Sequence, residues 1–550
     1  MSAPLDRNRA LAAPTNNVAG RARIRGRTGA LAALLGLTAG LALAGCGKRG
    51  TRPNELVLLV DSNPSQLPHS LDPRYTGVSL DIKLSRLIFA ALVSEDQASM
   101  EPKLDLAASV TPVDPTTWDV VVRPDARFAD GTPVTALDVY QTFHALMAAD
   151  GQSTTQRAFQ QRIAGLRLLP HPAGLAIRFH LKEPLATFVT DLDMGILPAA
   201  SLARWGLELP LAGYFGAGPF RLGSVDPDGQ AVTLERNPHY VLGASRIDRV
   251  VVRTIRDDNS RLLALVGGSA DLMQGGLPPP LISAVGSRPE LEVTTAPSAL
   301  LTYLGFNHDD PILKHREVRQ AIALALDREA IIRSKFKGKA LLATGLMAPG
   351  HWAYDGAVTT YPHDPARARA LLDAAGYPDP PGPAPRFTLV YKTSNNRFRL
   401  TIARALAYQL GEVGIAIDLR ALEGQTFLSD LKAGNFQLFT YQSGEIVEPD
   451  MAYAYYHSSR VPTKEKKDLT NRVRYRNPEM DRLTTLGRRT IGREARISIY
   501  RDVQRLMADD LPIVPLWHED NILVRRVRVQ DYEVYPNARY AGLARAFKSP

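Results

Sequence analysis

One stretch limits the fold more than any other: residues 364–419 read as helix, strand, helix and strand in close succession. Asp364 is placed to cap a helix, Pro365 suits its first position, Leu371 and Leu372 fall inside it and Gly376 ends it. Phe387-Thr388-Leu389-Val390-Tyr391 follows as an apolar strand, residues 402–410 as a helix, and Gly414-Ile415-Ala416-Ile417-Asp418-Leu419 as a second strand. Strands joined through a helix pair in parallel, so the region predicts an α/β domain.

The rest of the chain has the same grammar. Glu55-Leu56-Val57-Leu58-Leu59-Val60, Trp118-Asp119-Val120-Val121-Val122-Arg123, Ala231-Val232-Thr233-Leu234-Glu235-Arg236 and residues 248–255 predict strands. Helices are predicted over 81–92, 259–266 and 316–334, the last from Val318, Ile322, Ala325 and Ile332 at near-helical spacing. In Thr135-Ala136-Leu137-Asp138 a threonine cap and an acid in the first turn mark another helix start. Leu277-Pro278-Pro279-Pro280-Leu281 reads as a rigid turn.

Cys46 is the only cysteine. It follows Arg21, Arg23, Arg25 and Arg27 and the apolar run 29–44, whose 16 residues suit an export signal better than a membrane span. Leu43-Ala44-Gly45-Cys46 resembles a bacterial lipobox, in which the cut falls before the cysteine and the cysteine carries lipid. That resemblance implies a lipoprotein signal peptide over 1–45, a lipidated tether over 46–54 and an exported body on the extracytoplasmic (periplasmic) side. A chance cysteine at the end of an ordinary signal or of a membrane helix is the alternative. Two or more acyl chains make such a tether stable, because one binds a bilayer only marginally.

The remaining body is long enough for two to four domains at a soft ~150 residues each. With Cys46 lipidated, the body can form no disulfide, thiolate metal site or cysteine nucleophile. Half of the formal charge of +10 lies in residues 1–45, which hold six Arg and one Asp. No compact basic stripe remains, so no nucleic-acid partner is expected. Thr463-Lys464-Glu465-Lys466-Lys467-Asp468, broken by acids, reads as a solvated loop. The eleven histidines are scattered, and there is no His-Glu-x-x-His, Gly-x-Ser-x-Gly, phosphate loop or dinucleotide fingerprint. Neither catalysis nor a cofactor is expected.

One segment suggests recognition. Thr440-Tyr441-Gln442-Ser443-Gly444-Glu445-Ile446-Val447-Glu448-Pro449-Asp450 follows an apolar strand at 436–439 and leads into Tyr453, Tyr455 and Tyr456. Tyr441, Glu445, Glu448 and Asp450 at a strand end could hold a cationic ligand group by ring contact and charge. An acidic surface turn beside core tyrosines fits the residues equally well.

Several separated motifs together resemble the large extracytoplasmic solute-binding proteins of ABC importers, the bacterial family 5 that binds peptides, nickel and related solutes. They are Phe128-Ala129-Asp130-Gly131-Thr132-Pro133-Val134-Thr135-Ala136-Leu137-Asp138-Val139, Gly216-Ala217-Gly218-Pro219-Phe220 with Leu234-Glu235-Arg236-Asn237-Pro238-His239-Tyr240, Ala325-Leu326-Asp327-Arg328, and Tyr475-Arg476-Asn477-Pro478-Glu479-Met480-Asp481. The resemblance implies a two-lobed periplasmic-binding-protein-like α/β fold. A discontinuous lobe I would comprise 55–84, 196–300 and 512–550, with an extra domain at 85–195 and lobe II at 301–511. It further implies a monomer that captures peptides, closes around them and delivers them to ABC permease subunits. Glu445-Ile446-Val447-Glu448-Pro449 matches the family's Asp-x-x-Asp-Pro, so Glu445 would stand where an aspartate holds the peptide ammonium, one methylene longer. In nickel-binding members a histidine matters, and His457 is the candidate, although its setting suits packing or capping better. A non-peptide solute, or a peptide sensor or chaperone without a permease, is the alternative, and an extracytoplasmic hydrolase is a more distant one.

Overall fold

The computed structural model describes residues 54–549, apart from residues 66, 77, 97–98, 149–152, 173, 207, 283–284 and 287. Cys46 and the segment expected to be a signal peptide lie outside the described residues.

The first large sheet runs in the order Leu291–Ala296, Asn521–Arg526, Leu272–Gln274, Glu55–Val60, Arg249–Thr254, Ala231–Arg236, Phe220–Val225. Glu55–Val60 sits at its centre, parallel to both neighbours. That position explains its unbroken apolar run, since a central parallel strand is covered on both faces. Leu56, Leu58 and Val60 join a core with Leu80, Leu84 and Leu87 of helix Ser79–Ile88. Val57 and Leu59 face the other way, among Leu265, Met273 and Val524.

The second large sheet runs Ala340–Leu342, Ile513–Glu519, Leu300–Phe306, Leu438–Glu445, Phe387–Ser394, Ile415–Leu422. Its last two strands are parallel, with Phe387 opposite Ile415 and Ser394 opposite Leu422, and helix Arg397–Gly411 is the crossover between them, as the sequence predicts. Helix Pro365–Ala374 also matches: Asp364 accepts from Arg367 N at 2.9 Å, and Gly376 takes the positive φ (89°) that ends it. A smaller antiparallel sheet, Ala107–Asp114, Thr117–Val122, Gly174–Leu181 and Ile163–His171, is covered by helix Ala136–Ala148. The Phe143, Phe179 and Phe188 rings pack there at 5.0 and 5.1 Å.

Several expectations need correction. The helix expected over 316–334 is two, Arg316–Ala325 and Arg328–Lys335, because the Asp327 side chain accepts from Ala330 N at 2.7 Å and starts a new one. The proline-rich turn contains one helical turn, Pro279–Ile282, since proline is tolerated at a helix start. The strand expected over 436–439 runs as Leu438–Glu445. Strand Ile513–Glu519, expected in lobe I from residue 512 onward, pairs with Leu300–Phe306 and belongs to the second sheet. Helix Ser79–Ile88 crosses the expected boundary at 84/85 and stays on the first sheet, held by Leu87 and Ile88.

The two large sheets exchange chain twice, through residues 297–299 and through Asp520. The crossings lie side by side, because Ala296 pairs with Asn521. Hydrogen bonds to one C-terminal turn hold them: Ala299 N donates to Pro536 O at 3.0 Å and the Asn521 side-chain amide to Tyr535 O at 2.7 Å. Two adjacent crossings make a hinge about which two lobes can turn.

Candidate ligand-binding site

The hinge leaves a cavity of about 350 Å³ between the lobes. Asp61, Arg256 and Leu277 line it from the first lobe, and Thr302, Tyr441 and Glu519 from the second. Asp61, Arg256 and Leu277 follow strand ends, Glu519 ends its strand, and Thr302 and Tyr441 lie within strands, so the sheets fix their places. Thr302 donates to Glu519 at 2.8 Å within the second lobe.

Tyr441 and Glu445 both lie on strand Leu438–Glu445, separated by four residues or ~13 Å along a strand. The Tyr441 ring is 6.2 Å from the Tyr303 ring and lies beneath the Arg472 guanidinium at 5.0 Å. Arg472 Nε is buried with no hydrogen-bond partner among the described residues, and the guanidinium faces the Tyr441 ring. Glu445 Oε1 is 3.6 Å from Lys83 Nζ, which comes from helix Ser79–Ile88 of the other lobe. Burial lowers the Lys83 pKa, and the Glu445 carboxylate works against that shift.

The remaining two residues singled out in the sequence lie deeper. Glu448 is buried and pairs with Arg496, while accepting from the Thr190 hydroxyl at 3.2 Å. Burial raises its pKa and Arg496 opposes the shift. Asp450 lies 3.8 Å from Arg488, which stacks over Tyr453 at 4.3 Å. Burial pushes the Asp450 pKa up to about 7, against the pull of Arg488. Arg162, paired with Asp191, completes this ion cluster. The cluster joins Thr190 and its neighbours to the second lobe, and Ala186 N donates to Arg488 O at 2.8 Å across the same seam. Of the four, only Tyr441 is among the cavity walls: Glu445 stands outside them at its contact with Lys83, and Glu448 and Asp450 are placed in a joint.

All four residues therefore carry a cation supplied by the chain itself: Arg472 over Tyr441, Lys83 at Glu445, Arg496 at Glu448 and Arg488 at Asp450. The sequence reading saw the acceptors and missed these donors. Arg488 had a local signal, at the end of the amphipathic helix Pro478–Arg489. Lys83 had none, because 362 positions separate it from Glu445. His457 caps the short turn Ser458–Arg460, its Nδ1 accepting from Ser459 N at 3.1 Å. Among the described residues no group of three or more His, Cys, Asp or Glu side chains is placed to hold a metal.

A second cavity, about 380 Å³, lies between helix Ser79–Ile88, the 91–105 segment and the C-terminal segment. Lys83, Asp105, Tyr240 and Tyr540 are among its walls. Arg539 braces it, bonded to Glu95 and to Asp193 at 2.8 Å each.

Two hinged α/β lobes facing a charged and aromatic cavity define an extracytoplasmic solute-binding receptor of the periplasmic-binding-protein class. The chain belongs to the bacterial extracellular solute-binding proteins, family 5, whose middle-region description matches residues 101–464. It is 28% identical over 486 residues to the probable D,D-dipeptide-binding periplasmic protein of Escherichia coli, covering 85% of this chain and 90% of that one. It is 29% identical over 369 residues to the probable di/tripeptide-binding protein 5 of Pseudomonas aeruginosa, covering 65% and 68%. The fold resembles the ABC transporter substrate-binding protein CtaP of Listeria monocytogenes (TM-score 0.79, 23% identity, 90% of this chain and 100% of that one). It also resembles the oligopeptide-binding protein AppA of Bacillus subtilis, solved with a nonapeptide (TM-score 0.74, 22% identity, 91% and 100%).

Proposed function

We propose that this chain captures short peptides between its lobes and hands them to an ABC permease. The observation that carries the reading is the placement of Glu445: a carboxylate, largely withdrawn from water, ends the strand from whose middle Tyr441 reaches the interlobe cavity. Such a carboxylate attracts an ammonium group more strongly than a surface acid does, because the surrounding dielectric is low. The peptide-binding names of the Escherichia coli and Pseudomonas aeruginosa relatives support the same reading.

Contacts from a ligand to both lobes favour the closed state, which a permease can read. In this reading the lobes and extra domain follow the layout expected from sequence, with the boundary at 84/85 moved past Ile88 and the last boundary moved from 512 to 520. Cys46 carries the lipid that keeps the body, acting as a monomer, at the membrane. Tyr441 and Glu445 are the ligand-facing residues, and Glu448 and Asp450 set the position of the strand end.

Mass spectrometry of the gently purified chain, sprayed intact and then denatured, tests this. A ladder of short peptide masses released from the protein, and acyl mass on an N-terminal Cys46, are expected. A single non-peptide mass would overturn the peptide assignment, and an unmodified Cys46 the anchor.

A further inference from the structure

We propose that Lys83 is an internal competitor for the ammonium group of the ligand: by reaching across the hinge to Glu445 it weakens the site's preference for free amines and helps hold the lobes together. This inference rests on the peptide-capture reading of the site. The geometry supports it in three ways.

First, the pair spans the two lobes. Lys83 belongs to a helix packed on the first sheet, and Glu445 to the end of a strand in the second. Second, the acidic and aromatic neighbours attract a cation to that spot whatever its source, against the burial that lowers the Lys83 pKa. The Lys83 and Glu445 side chains are 18% and 25% exposed, Nζ lies 5.7 Å from the Tyr540 ring, and the Asp61 carboxylate also acts on it. A carboxylate so far withdrawn from water needs a positive partner, and losing one without replacement is costly. Arg539 also acts on Lys83, with the opposite sign, but it is held by Glu95 and Asp193. Third, the contact is loose. At 3.6 Å it is well beyond the ~2.7–2.9 Å of a strong charge-assisted hydrogen bond, so an ammonium with better geometry can displace it. The ligand then exchanges one ion pair for another, and gains less than it would at an unpaired carboxylate.

The test compares the parent chain with Lys83→Met and Lys83→Arg, titrated calorimetrically with trialanine and N-acetyl-trialanine. Lys83→Met is expected to raise the affinity ratio of free to acetylated peptide by about tenfold, and Lys83→Arg to leave it near the parent value. A ratio unchanged or lowered in Lys83→Met overturns the proposal. A merely structural loss weakens both ligands alike and so gives that unchanged ratio. Small-angle X-ray scattering without added peptide supplies a second readout. Lys83→Met is expected to have a larger radius of gyration than the parent and Lys83→Arg, and equal radii overturn the lobe-holding role. If the parent binds neither peptide, the peptide reading fails, and the scattering still decides whether Lys83 joins the lobes.

Discussion

The Glu448 carboxylate accepts a hydrogen bond from the Thr190 hydroxyl at 3.2 Å and pairs on its other oxygen with Arg496. Thr190 and Arg496 are more than 300 positions apart, so one buried carboxylate ties the small antiparallel domain to the second lobe. Removing it leaves the Arg496 guanidinium buried without a counter-charge. Glu448→Ala is therefore expected to destabilise the chain by about 3–5 kcal/mol. Thr190→Val, which removes only a neutral donor, should cost about 1 kcal/mol. Urea unfolding of both variants checks the ordering.

Asp450 gives this joint a pH dependence. Its folded pKa of about 7 lies above the ordinary carboxylate value, so between about pH 4 and about pH 7 the folded chain holds a proton that the unfolded chain has lost. Stability contributed by Asp450 is complete below that window and falls as the pH rises through it, by up to about 4 kcal/mol. Asp450→Asn should flatten this slope. Urea midpoints at about pH 5 and about pH 8 are expected to differ less in the variant than in the parent.

Gly216 and Gly218 press against the end of helix Ser79–Ile88. Gly218 N donates to Ile88 O at 2.9 Å, and a Cβ on Gly218 would lie 2.6 Å from Leu87 O. Backbone cannot yield there as a side chain would. Gly218→Ala is expected to cost about 1–3 kcal/mol, seen as a lower urea midpoint with an unchanged slope. The same helix carries Lys83, so the variant should also alter peptide affinity.

Glu445→Gln keeps shape and removes charge. It should lower affinity for peptides with a free ammonium by about tenfold or more, and leave N-acetylated peptides nearly unaffected. Titration of both forms against variant and parent measures this, and equal losses would remove Glu445 from ammonium recognition.

The fold was largely legible because its signals are local. The Asp364, Pro365 and Gly376 punctuation and the parallel pair at 387–394 and 415–422 follow from short-range rules. Asp327 misled because one polar residue inside an apolar period looks like a helix face, and only the structure gives it the Ala330 amide to cap. Strand Leu438–Glu445 was cut short for a different reason. Its last six residues, Thr440-Tyr441-Gln442-Ser443-Gly444-Glu445, are mostly polar and their start faces a cleft, so no apolar alternation marks them as a strand. The site was half legible: its acids and tyrosine stand in one segment, whereas their cations come from four others.

The strand Asn521–Arg526 enters the first sheet between Leu272–Gln274 and Leu291–Ala296, although the whole second-lobe stretch of chain separates it from both. Every strand of the second sheet precedes that stave in the chain, so the first lobe cannot complete its hydrogen-bonded frame until the whole of its neighbour has been synthesised.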